Sequence, residues 1–413
     1  MTQNLDTATI ETLPEAKATG TGELKDIVTN KQRIWRRFKA HRLALYSGML
    51  LVLFYFLAIT ANFFAPYSET FEDRNKSFAP PAHIHLFTSD GSLSMPFIYD
   101  SKEQVDKDGI SRFMEDTSKP YPIHFFQHGE TYSIFWVVPT DLHLFGVDEP
   151  ARIFITGADQ SGHDIFSRLF FGARVSLTIG IVAVIFSYPI GILFGGISGY
   201  YSGKTMHLFG FLLYPLSLIT GPGIYKIPGL NFRIDIDNFL MRIAEAFMSF
   251  PSLYLLLALA ATLPPTLTSV QRFFMVTIII SLISWAGLAR VIRGQVLAIK
   301  EFEYVEAARA AGAGDMWIIL RHIIPQTTTY IFISASSAIP SYILAESSLS
   351  FLGLGIQLPN ASWGNMLEDS RGISVLQLHP WLLVSGFIIA LTIMAWNFLG
   401  DGLRDAFDVK KRS

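Results

Sequence analysis

The sequence contains no cysteine. That absence excludes a disulfide framework, a thiolate metal site and a cysteine nucleophile, and it leaves the redox compartment open. Charge is also scarce: 16% of the 413 residues are Asp, Glu, Lys or Arg, against roughly a quarter in soluble domains. The formal net charge of −2 gives no bulk electrostatic reason to bind nucleic acid. With 14% aromatics and no blocks of like charge, the chain is not a disordered one either. What it has in quantity is apolar surface. Half the residues are hydrophobic and the mean hydropathy is +0.37, which points to a membrane protein rather than to two or three soluble domains.

Residues 1–42 read as a cytoplasmic N-terminal tail. They are polar to about residue 30, lack the apolar core of a cleavable signal peptide, and then turn basic at Lys31, Arg33, Arg36, Arg37, Lys39 and Arg42. Residues 43–65 are uncharged and long enough for a first bilayer span, which the preceding basic run starts on the cytoplasmic side. Residues 66–168 are polar, with Pro80-Pro81 and short alternating runs such as 132–138. They predict an extracytoplasmic inserted domain of α/β or β-rich structure. Residues 169–408 hold five further apolar stretches, at about 175–200, 239–263, 273–292, 327–354 and 381–399, and residues 409–413 return to the cytoplasm. The predicted fold class is therefore an all-α polytopic membrane protein with six transmembrane helices. Loop charge agrees with that parity: Arg290, Arg293, Lys300, Arg309 and Arg321 fall between spans four and five, whereas the outside loops carry only Arg272 and Arg371. Residues 204–236 interrupt this plan. Within them, 207–220 is apolar but too short to cross, and it predicts a re-entrant or interfacial helix on the cytoplasmic side.

The segment 301–325 has the most specific spacing. Glu306-Ala307-Ala308 lies in a short Ala-rich helix that Gly312 and Gly314 break; Asp315 is placed to cap a second helix, and His322 and Pro325 close the segment. Two short helices at a fixed angle make a rigid projection on the cytoplasmic side. Within the spans, an uncompensated carboxylate costs roughly 2.5–3.5 kcal/mol on insertion scales, so Glu346 needs a partner, a proton or water. It is a candidate either for lining a pathway or for tying helices together. Glu245 lies near a helix end, where it can reach water. Gly191, Gly195, Gly196 and Gly199 suit close helix packing, as do Ser334, Ser336, Ser337 and Ser341. Ser198 to Thr205 approximates a phosphate-binding loop, but its first glycine is replaced by Ser198 and it follows a membrane helix rather than a core strand, so no ATP site is expected there. His83 and His85 suit a solvated surface pair better than a metal site, and no metal is expected.

The 301–325 segment resembles the cytoplasmic EAA loop of ABC importer permease subunits. The ending His322-Ile-Ile-Pro325 is similar to that of the peptide-importer branch. Other stretches carry the same resemblance: Asp159, Gly162, Asp164 and Arg168 before the second span, Trp363 and Gly364 after the fifth, and Gly400, Asp401 and Arg404 at the end of the sixth. Together they cover the first span and most of 156–408, and they look like the second, C-type permease of a dipeptide or oligopeptide importer. His163 and Ala158 depart from the family's usual Arg and Thr, and the segments 66–155 and 204–236 exceed its usual form. The resemblance implies the type I importer fold and an inner-membrane location with both termini in the cytoplasm. It also implies a second homologous permease subunit, two ATPase subunits that hold ATP and Mg, and an extracytoplasmic solute-binding protein. No cofactor on this chain, no enzymatic chemistry and no nucleic-acid partner are expected; membrane lipid is. The alternatives are the same architecture importing a nickel complex, glutathione or a glycan, and a proton-driven secondary transporter using Glu346.

Overall fold

The structure, a computed structural model, describes residues 30–87, 92–105, 111–134, 138–207 and 233–407. It begins with the basic helix α1 (Asn30–Ala40) and the apolar helix α2 (Arg42–Ile59). His41 separates them, because its ring accepts the Ala44 N–H at 3.1 Å and caps α2. A single turn, α3 (Ala61–Phe64), leads out of the first span.

A four-stranded antiparallel sheet follows, in the order β1 (His85–Phe87), β2 (Leu93–Val105), β3 (Ser111–Ile134) and β4 (Val138–Val147). The β-rich character expected of this region is present. Its alternating residues bury Ile98, Tyr121, Ile123 and Phe145 together with Ile153, and Phe145 packs on Phe166 of the next helix with ring centroids 5.8 Å apart.

That helix, α4 (Ile165–Tyr201), is the centre of the helical body. After two short antiparallel strands, β5 (Thr205–His207) and β6 (Arg233–Asp235), come α5 (Ile236–Ser249), α6 (Ser252–Ala261) and α7 (Ser269–Ile299). The 301–325 segment then supplies α8 (Glu303–Ala310) and α9 (Asp315–Ile318), before α10 (Ile324–Phe351), α11 (Ile373–Leu378) and α12 (Val384–Phe407). Gly191, Gly195 and Gly199, four residues apart on α4, let it approach α7 closely. A Cβ at these positions would run into the carbonyl oxygens of Trp285, Ala289 and Arg293. The expected close-packing stripe is thus where it should be.

Among the described residues, four helices are long and apolar enough to cross a membrane: Arg42–Ile59, Ile165–Tyr201, Ser269–Ile299 and Pro380–Phe407. The predicted span at 239–263 is not one helix. It breaks at Phe250-Pro251 into α5 and α6, bent by 85°, because Pro251 has no amide hydrogen to continue the ladder. The helix at the fifth predicted span, α10, is 28 residues long, but seven serines and three threonines keep it below the apolarity of the other four. Most of its hydroxyls bond within the helix. Thr327 donates to the Ile324 carbonyl at 2.8 Å, Ser336 to Ile333 at 2.8 Å and Ser348 to Leu344 at 2.8 Å. The predicted helix at 207–220 lies, beyond His207, outside the described residues.

Candidate functional site

The 301–325 segment projects from the body and is pinned by one apolar spine. Val305, Ile318, Ile319 and Ile323 are buried against Ile292, Val296 and Ile299 of α7 and Tyr200 of α4. On the other side Glu306, Ala307, Gly312 and Pro325 are exposed, and Ala308, Asp315 and His322 half-buried. Trp317 and Leu320 are also exposed, at 53% and 55%. Tyr304, Ala308, Gly312, Trp317 and His322 line a shallow concavity between the two arms. Gly312 makes the break with φ +84. A Cβ there would meet nothing within 4 Å, so backbone conformation and not space requires glycine.

Two expectations for this segment need correction. Asp315 does not cap the second helix: Gly314 holds the N-cap position, and the Asp315 carboxylate instead accepts a 2.6 Å hydrogen bond from the Tyr200 hydroxyl. Nor is the second arm a separate short helix ended by Pro325. It passes without a break through a π-helical turn, Ile319–Ile323, into α10, and Pro325, which has no N–H to continue the ladder, follows directly on that turn. The segment is therefore continuous with a core helix.

A second link runs beneath it. Arg293 of α7 makes a bidentate pair with Asp237 of α5, Nε at 2.5 Å and Nη2 at 2.6 Å, and Ser198 of α4 donates to the same carboxylate. Ser198 to Tyr201, part of the approximate phosphate-loop sequence, thus form the last turn of α4 rather than a loop. Glu245 is exposed and pairs with Arg242 at 3.3 Å.

Glu346 is fully buried. Its carboxylate accepts from Ser350 at 2.7 Å, from Ser176 of α4 at 3.3 Å and from Ser347 at 3.4 Å. Ser176 also accepts the Trp363 N–H at 3.1 Å, so one carboxylate ties α4, α10 and the 361–365 turn together. Within this chain the Glu346 side chain is enclosed by hydroxyls, the arrangement of a group that ties helices together. Gly364 belongs to the same junction, since a Cβ there would collide with the backbone of Ser347.

The residues before the second span form a buried charge cluster. Asp164 caps α4 by accepting from the Ser167 N–H at 2.9 Å and the Ser167 hydroxyl at 2.6 Å, and burial pushes its carboxyl up to about 7. Asp159 is pushed up by burial as well, but the His163 hydrogen bond and the Arg168 charge outweigh that and hold it below the usual carboxylate range. His163 thus fills the place of the expected arginine by bonding Asp159 at 2.8 Å. Arg168 is buried 3.7 Å from Asp159. Gly162 has φ +83 and lies against the Asp73 carbonyl. Asp369 accepts the Gln160 N–H at 3.1 Å, joining this cluster to the segment after α10. Gly400 packs on Ser336 and Ser337, whereas Asp401 and Arg404 are exposed on the last turns of α12; none of the three joins either cluster. His83 and His85 both approach Glu115, at 3.4 and 3.1 Å, and among the described residues no group of three or more His, Cys, Asp or Glu could hold a metal ion. Sequence reasoning missed Tyr200, Asp237, Arg293 and Ser176; no local motif marks them, because their partners lie 39 to 170 residues away.

Comparison with known proteins places these features. Residues 213–413 match the family described as binding-protein-dependent transport system inner membrane component, and residues 29–81 match the N-terminal TM domain of oligopeptide transport permease C. The chain is 39% identical over 257 residues to the oligopeptide transport system permease protein OppC of Haemophilus influenzae, covering 62% of this chain and 70% of that one. It is 37% identical to the dipeptide transport system permease protein DppC of Bacillus subtilis, covering 62% and 68%. The glutathione transport system permease protein GsiD of Pectobacterium atrosepticum is 34% identical, over 64% of this chain and 75% of its own.

Proposed function

Since the chain belongs to the inner-membrane components of binding-protein-dependent transport systems, in the C-type branch of the oligopeptide and dipeptide permeases, we propose that it forms half of the pore of an ATP-driven oligopeptide importer. The family carries the type I ABC permease fold. The observation that carries the proposal is the exposed 301–325 segment, built on a glycine break and continuous with α10. An ATPase subunit binds this projection, with Glu306, Ala307, Ala308 and Gly312 on the contacted face and ATP and Mg held by the ATPase. Force on the projection passes to α4 through Tyr200 and directly into α10. ATP drives the cycle only if the closed ATPase pair binds the outward-facing permeases more tightly than the inward-facing ones, since equal affinity would shift nothing.

In this reading α2, α4, the bent pair α5–α6, α7, α10 and the 380–407 helix are the six spans. Both termini and 301–325 are cytoplasmic, and the β1–β4 sheet faces the side from which a solute-binding protein delivers peptide. A second, homologous permease completes the pore. Other solutes fit the same architecture, and the relative named for glutathione has comparable identity.

The test is purification of the tagged chain from detergent extracts. An ATPase subunit co-elutes with the unaltered chain and is lost with Glu306→Lys, while the variant chain still reaches the membrane. Undiminished co-elution with Glu306→Lys would remove 301–325 from the interface.

A further inference from the structure

The sheet carries an aromatic surface that the transport cycle does not use. Phe125 and Phe126 of β3 are 60% and 59% exposed. Phe126 has φ +58, a region that bulky side chains rarely adopt. In a regular strand it would share a face with His124 and His128. Those two histidines are exposed, with ring nitrogens 3.4 Å from the Asp148 carboxylate and 2.8 Å from that of Asp141. Phe126, with the alternation broken, instead meets Phe63 of α3, ring centroids 6.4 Å apart. From there an aromatic series continues without interruption along the first span: Phe63 on Phe64 at 5.3 Å, and Phe64 on Phe56 at 6.3 Å. Phe56 and Ile59 belong to the exposed apolar face of α2.

The other end of the same strand also returns to the helices. Ser133 lines a cavity of about 480 Å³ with Tyr55, Ile59, Asn62, Arg174 and Leu177, between α2 and α4. Arg174 marks the polar boundary there by donating to the last carbonyls of α2, Ala58 at 2.7 Å and Ile59 at 3.4 Å. Ile59 and Phe63 are one helical turn apart, ~6 Å, whereas Phe126 to Ser133 is roughly 20 Å of strand. The β3–β4 hairpin therefore crosses the ends of α2 and α4 close to the plane of the membrane surface.

We propose that this hairpin lies on the bilayer, with Phe125 and Phe126 seated in the lipid headgroup region and the His124–Asp148 and His128–Asp141 pairs turned to water. Lipid is the occupant because the aromatic series is continuous with the exposed face of a membrane-length helix, and because exposed phenylalanines are side chains that an interfacial segment buries at the boundary of headgroups and acyl chains. The proposal rests on α2 crossing the membrane and not on the solute or the energy source, so it can fail while the importer reading stands.

The cysteine-free chain makes the test direct. The complete complex is reconstituted in vesicles of phosphatidylethanolamine and phosphatidylglycerol, with a nitroxide on Phe126→Cys and, separately, on Phe125→Cys. Phe56→Cys serves as the lipid reference and Thr117→Cys as the water reference. Power saturation with oxygen and with a nickel chelate then gives the depth of each label. The expected oxygen-to-nickel ratio at 126 is several-fold above that at 117 and below that at 56, with 125 following 126. A ratio equal to that at 117 overturns the proposal, and so does exclusion of both probes, which would mean that protein covers the patch. Using two labelled positions keeps the test intact if one substitution prevents assembly.

Discussion

The Tyr200 hydroxyl donates to the Asp315 carboxylate at 2.6 Å, joining the last turn of α4 to the first turn of the second coupling arm. The ring is itself held by two cations, Lys204 at 5.1 Å and Arg309 at 5.7 Å from its centroid. Tyr200 thus touches both arms of the coupling segment while belonging to the helix that packs on α7 and α10.

Tyr200→Phe keeps the ring and its cation contacts and removes only the hydrogen bond, worth about 1.5–3 kcal/mol to a charged acceptor. The expected result is a chain that assembles and supports ATP hydrolysis but transports several-fold less solute per ATP. An unchanged ratio of uptake to hydrolysis would remove this link from the account.

Glu346 predicts a different pattern. Glu346→Gln preserves an acceptor for Ser176 and Ser350, and it should leave melting of the detergent-solubilised complex and the uptake of charged and neutral peptides nearly unchanged. Glu346→Leu orphans those hydroxyls at about 1–3 kcal/mol each and should lower the melting temperature by several degrees. A Gln variant that discriminates cationic from neutral peptide would return Glu346 to the pathway.

The buried Asp164 gives the stability a pH dependence of defined sign. Its carboxyl titrates at about 7 in the fold, above the ordinary 3.8, so the folded state holds a proton that the unfolded chain has released. The stabilisation is complete below pH ~4 and is lost as pH rises to ~7, after which it stays level. Melting temperature should fall between pH 5 and 7 and flatten above. Asp164→Asn, which still accepts the capping hydrogen bonds, should remove most of that slope. A slope unaltered by Asp164→Asn would assign it to another group.

Much of this was legible in the sequence because it is local. Gly312 was placed to break the Ala-rich helix, and it does so in the left-handed region with φ +84. The four-residue spacing of Gly191, Gly195 and Gly199 announced a close helix contact, which α7 supplies. Of the alternating run 132–138, Tyr132, Ser133, Ile134 and Val138 belong to a strand pair. What the sequence did not reveal depends on distant partners. Asp315 had the position of a helix cap, but Tyr200, 115 residues earlier, claims its carboxylate. Glu346 accepts a hydrogen bond from Ser176, 170 residues earlier. The 239–263 stretch is apolar apart from Arg242, Glu245 and a few hydroxyls, and its hydropathy hides the 85° bend that Pro251 makes.

The central claim is that ATP hydrolysed on a partner subunit drives uptake through the 301–325 segment. The direct measurement is uptake of a labelled oligopeptide into proteoliposomes that hold the complete complex and its binding protein, with the unaltered chain and with Gly312→Val. Valine fits the space at 312 but not a φ of +84. The account predicts ATP-dependent uptake by the unaltered chain and loss of both uptake and peptide-stimulated ATPase activity in the variant. Uptake that follows a proton gradient without ATP, or that Gly312→Val leaves intact, would contradict it.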